Sequence, residues 1–109
     1  MNFKVSIAEA VDQLSKEETN RFATVMRNGS MIVEYYAPHN VDLQKPHQQD
    51  EIYIIASGSG IFSRNKEKVA CKTGDVLFVP AAMEHRFEDF TADFATWVIF
   101  YGPEGGEKG

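Results

Sequence analysis

From about Arg21 onward, short apolar runs alternate with polar breaks at the spacing of strands rather than helices. The segments RFATVMR, SMIVEYYA, DEIYIIAS, GIFSRN, EKVACKT, DVLFVP, HRFEDF and FATWVIFYG read this way. Each is rich in β-branched and aromatic residues and bounded by Gly, Pro, Asn or Asp. Ahead of them, one stretch keeps a helical period. In SIAEAVDQLSK, Ser6 and Glu9 have capping-box spacing, and Ile7, Val11 and Leu14 share a face. The pattern predicts an all-β, antiparallel sandwich or barrel preceded by one short helix.

Two connections are legible. Asn28-Gly29 is a strong hairpin signal, and the SGSG at residues 57–60 reads as a turn reversing the strand that begins at Glu51. The tail GPEGGEKG has no apolar anchor and is expected to be flexible. Residues 1–20 are thus read as a helical segment, 21–102 as the β domain and 103–109 as the tail. At 109 residues the whole makes one domain with one core.

Charge narrows the partners. Lys and Arg total 11 against 16 Asp and Glu, a net charge of -5, and the basic residues are scattered. Nucleic acid and anionic membrane surfaces are therefore not expected as partners. No apolar run is long enough for a membrane span, and MNFKVSIAEA lacks the basic start and apolar core of a signal peptide, which leaves a cytoplasmic location as the expectation. Cys71 is the only cysteine, so no internal disulfide forms, and its place in KVACKTG suits a small buried residue better than a reactive thiol.

The candidate chemistry lies in KPHQQDEIYIIASGSG, where a His, two Gln, an Asp and a Glu gather before an apolar strand. His47, Glu51 and the downstream His85 are donor types that hold Fe, Mn, Ni or Zn, and two His with a carboxylate leave coordination positions open. On a straight strand His47 and Glu51 would stand ~13 Å apart, so the chain must bend or bulge at QQD for both to reach one ion. A helical i, i+4 pairing is opposed by Pro46 and the β-rich EIYIIAS.

His47, Glu51 and Gly58, followed by Gly74, Pro80 and His85, stand at the spacings of two motifs, G-x5-H-x-H-x3-4-E-x6-G and G-x5-P-x-G-x2-H-x3-N. The chain thereby resembles the cupin family over roughly residues 35 to 100. The departures are His39, Lys45, Ala82 and Asp89, at positions where the motifs have Gly, His, Gly and Asn. The resemblance implies a jelly-roll (cupin) β-barrel and a divalent transition metal on His47, Glu51 and His85. With Lys45 in place of the first His the usual four-ligand set is one short, and the amide oxygen of Gln49 or Gln44 is a candidate for the further ligand.

Alternation from Glu51 puts Tyr53 and Ile55 on the ligand face, and alternation from His85 adds Phe87. Tyr35, Met83 and Trp97 are candidates to complete the pocket, while Asp50 should face the other way, exposed or capping. His39 reads as a solvated loop residue. Tyr53 is expected to offer its hydroxyl to substrate and Lys45 to hold a substrate anion, as catalytic groups. Three functions stay open. One is a dioxygenase-like or isomerase- or cyclase-like enzyme acting on a small oxygenated or carboxylate substrate. The others are a non-catalytic small-ligand module and a metal-free barrel. Small cupins commonly pair, which implies a homodimer.

Overall fold

Burial alternates along the strands and so decides which side of each faces inward. In the computed structural model, which describes residues 3–18 and 21–109, β3 (Asp50–Ser57) buries Glu51, Tyr53 and Ile55. In β8 (Ala95–Tyr101) the same alternation buries Val98 and Phe100. The chain runs from α1 (Ile7–Ser15) through β1 (Phe22–Asn28), β2 (Met31–Tyr36), β3, β4 (Ser59–Arg64), β5 (Glu67–Lys72), β6 (Val76–Val79) and β7 (His85–Glu88) to β8. All eight strand segments expected from the sequence form, and the capping box closes as expected, with Ser6 Oγ accepting from the Glu9 N–H and Glu9 Oε1 from the Ser6 N–H.

The strands form a five-stranded sheet ordered β1-β2-β8-β3-β6 and a three-stranded sheet ordered β5-β4-β7, with every strand pair antiparallel. This is a jelly-roll sandwich. Tyr36, Tyr53, Ile55, Phe62, Phe87, Phe94, Val98 and Phe100 fill the space between the sheets. A second, smaller core lies on the outer face of the large sheet, where Ala10 and Leu14 of α1 cover Ala23, Tyr35 and Ala95.

Three expectations are corrected here. The glycines at residues 57–60 do not reverse β3 onto itself: β3 pairs with β6 and β8, whereas β4 pairs with β5 and β7, so Gly58 (φ 76°) is the corner at which the chain changes sheet. Tyr35 and Trp97 do not line the interior. They pack edge-on, 5.1 Å between centroids, in the outer core beside the helix, because the inward register positions belong to their neighbours Tyr36 and Val98. Finally, Asp50 does not lie exposed, because the C-terminal segment reaches back to the start of β3. Gly105 N–H donates to Gln48 O at 2.7 Å, and Glu107 N–H donates to Asp50 Oδ2 at 2.8 Å. Asp50 is accordingly buried rather than exposed, its other oxygen accepting from the Ala81 N–H at 2.9 Å.

Candidate functional site

The two motif clusters meet inside the sandwich. Glu51 enters from β3 and His85 from the first position of β7 in the opposite sheet, and His85 Nε2 lies 3.0 Å from Glu51 Oε1. Their side chains are 1% and 2% exposed respectively. Nδ1 of His85 faces the Met83 carbonyl at 2.8 Å, an arrangement that requires the ring hydrogen on Nδ1. Nε2 and Oε1 would then present lone pairs to each other unless a proton lies between them. Burial alone would lower the pKa of His85, but the hydrogen bond and charge of Glu51, together with the Met83 carbonyl, outweigh it and hold the imidazole above its ordinary value. The second oxygen of Glu51, Oε2, is buried without a hydrogen-bond partner.

His47 stands apart from this pair. The chain bends at Gln48 and Gln49, as a shared site needs, but the His47 ring stacks on Phe100 with centroids 3.8 Å apart and planes 21° from parallel. Among the described residues no three His, Cys, Asp or Glu side chains come together at one point. Gln49 is put to another use: its amide nitrogen donates to the carbonyls of Ser30 and Gly102 at 2.8 and 2.9 Å, lacing the entrance of β3 to the β1–β2 turn and the end of β8.

Tyr53 is fully buried behind the pair, and its hydroxyl donates to Gln44 Oε1 at 2.9 Å. Burial, with the charges of Glu51 and Asp42, holds that phenol well above its ordinary pKa. Gln44 in turn donates to Asp42 Oδ2 at 2.9 Å. The buried Asp42 is a hub, for its oxygens also accept from the Tyr36 hydroxyl at 2.7 Å and from the Phe87 N–H at 2.8 Å. Sequence reasoning missed Asp42. Its surroundings, VDL in a polar loop, carry no motif spacing, and only the apolar residues on either side hint at burial.

Beside the β2–β3 connection opens a cleft of about 510 Å³. Lys45, His39, Gln44 and His47 of that connection line it, with Arg21, Phe22, Glu34, Tyr36 and Phe100 from the flanking strands. Phe100 is the register partner of Glu51, so the cleft wall and the buried pair are neighbours. Lys45 is exposed at the opening, and His39, read from sequence as solvated, also borders the cleft. Cys71 is buried, its thiol pushed up in pKa first by burial and next by Asp75, as suits a structural residue.

The comparisons agree with this architecture. A family model described as Cupin domain matches residues 32–100. An uncharacterised protein of Streptomyces coelicolor is 32% identical over 99 residues, covering 86% of this chain and 94% of its own length. Acireductone dioxygenase 1 of Pectobacterium atrosepticum is 31% identical over 102 residues, covering 87% of this chain but only 58% of that enzyme. A solved structure of a Rhizobium leguminosarum protein superposes with a TM-score of 0.72 at 22% identity, covering 93% of this chain and 97% of that one. With matching motifs, a two-sheet jelly roll and a family model spanning most of its length, the chain belongs to the cupin domain family.

Proposed function

We propose that the chain is a small-molecule cupin whose reactive centre is the buried Glu51–His85 pair, working with a divalent transition metal (Fe, Mn, Ni or Zn) on an oxygenated or carboxylate-bearing molecule admitted by the neighbouring cleft. The observation that carries this reading is the orphaned Oε2 of Glu51. A buried carboxylate oxygen without a partner is destabilising, and a cation beside it removes that penalty. The donor chemistry fits. The proton required between Nε2 and Oε1 occupies a place that a metal cation takes by displacing it, and the Met83 carbonyl already fixes the His85 ring through its other nitrogen. Glu51 and His85 would hold the ion with His47 as the third donor.

Bound there, a metal would supply Lewis-acid polarisation or oxygen activation. The similarity to acireductone dioxygenase favours the dioxygenase-like form over the isomerase- or cyclase-like one. The protein's own groups divide the remaining work. Lys45 and Arg21 attract an anionic group to the cleft, Phe100 makes its apolar wall, and Tyr53, held by Gln44, keeps a neutral phenol beside Glu51. The working form in this reading is a homodimer.

A second reading, a non-catalytic and metal-free binding module, draws on the stacking of His47 against Phe100 and on Lys45 at the position of the motif's first His. Elemental analysis by mass spectrometry separates the two, using protein purified without a metal-affinity column. About one equivalent of transition metal is expected in the natural chain, lost in His85→Ala. No metal in the natural chain after anaerobic Fe(II) addition would select the binding module instead.

A further inference from the structure

The cleft opening combines two features that are not explained by folding. Leu43, Val41 and Phe22 border it with 80%, 57% and 38% of their surface exposed. Leaving such side chains in water forgoes roughly 25 cal/mol for each Å² of apolar surface. Lys45 and Arg21 border the same opening, and neither pairs with a carboxylate among the described residues, although the chain as a whole is acidic. Arg21 is also aimed: its Nε donates to the Ala37 carbonyl at 2.8 Å, which holds the guanidinium while its terminal nitrogens take no hydrogen bond among the described residues.

We propose that this cleft receives an amphipathic organic carboxylate, its charged end held by Lys45 and Arg21 and its flat apolar body lying against Phe22, Val41 and Leu43. The inference deepens the reading of the cleft as the small-molecule site and does not depend on a metal. A polyanion would want more cations than two, and a neutral apolar ligand would leave both cations without a function. Among the described residues Glu34 is the one acidic residue lining the cleft. Its carboxyl is raised in pKa, first by burial and further by Glu51 against the opposing pull of Arg27. The volume of about 510 Å³ accommodates a fused-ring or medium-chain acid.

The test is a calorimetric titration of 2-naphthoate into the full chain in EDTA, with neutral 2-naphthol and with acetate as comparison ligands. Saturable binding of one naphthoate per chain is expected, with naphthol about tenfold weaker and acetate weaker still. Lys45→Gln and Arg21→Gln should each weaken naphthoate about tenfold while leaving naphthol unchanged, and Leu43→Ser should weaken both. Naphthol binding in the charge variants reports that the cleft remains folded. Equal affinity for naphthoate and naphthol, indifference to both charge substitutions, or no saturable binding would overturn the proposal. Naphthoate binding by a chain that retains no metal would uphold this inference while sinking the metal reading, and metal retention without naphthoate binding would do the reverse.

Discussion

His85 and Glu51 illustrate what a single contact decides. Without metal, the folded protein holds the imidazole above its unfolded value of about 6.5. The pair's stabilisation is therefore complete below pH 6.5 and is lost as pH rises through the higher folded value. Urea midpoints of the metal-free natural chain should fall from slightly acid to alkaline pH more steeply than those of His85→Gln. Parallel curves would mean that no imidazolium forms in the folded state. At this scale the motif residues were legible because each has a physical task. Ala82 and Asp89, which depart from the motif's Gly and Asn, still adopt the left-handed backbone those residues favour, at φ 65° and 48°. The placements of His47 and Gln49 were not legible, for spacing says that a side chain is near a point and not which neighbour it meets. Stacking on Phe100 and lacing to Gly102 depend on the β8 end, some fifty residues away in sequence, and the bond to Ser30 on the β1–β2 turn.

Among the elements, strand positions followed directly from apolar alternation, whereas the assignment of strands to sheets did not. Two consecutive strands joined by a glycine-rich pair look the same in sequence whether they form a hairpin or change layers. Gly58 shows what the second choice demands. A Cβ at this position would come within 2.9 Å of Phe94 Cα and Asp93 Oδ1 and closer still to Thr91 Oγ1, and its φ of 76° lies in the left-handed region. Gly58→Ala should thus lose about 2 to 4 kcal/mol in denaturant unfolding, the sum of backbone strain and forced repacking where β3 hands over to β4. Gly29→Ala, at a turn with open space around the missing Cβ, isolates the backbone part alone and should lose less. Equal losses at the two sites would show that the crowding at the corner is relieved by movement of the 91–94 loop.

Over the whole molecule, the outer face of the large sheet is the feature that one chain leaves unfinished. Its register places Ala23, Tyr35, Trp97, Ile54 and Val76 in one row across all five strands, and Met26, Val33, Ile99, Ile52 and Phe78 in the next. Neither row contains a charge. Helix α1 covers the β1 end, but at the other end Val76 and Phe78 remain 65% and 45% exposed, and the helix adds exposed Ile7 and Val11. This explains why IYII, VLFV and WVIF are unbroken apolar runs: such strands have two faces to bury, and the sandwich interior takes only one. A second copy is the occupant we expect there. The two rows offer no charge for an oppositely charged partner, and an apolar face can pair with its own copy under two-fold symmetry. Sedimentation equilibrium should then give twice the 12.3 kDa chain mass. Phe78→Glu, a change at an outward position, should return it to the monomer, while Ala70→Glu, at an exposed outward position on β5 of the small sheet, should leave the dimer intact. A natural chain that sediments as a monomer across the micromolar range, or a Phe78→Glu chain that remains dimeric, would place the pairing surface elsewhere or remove it.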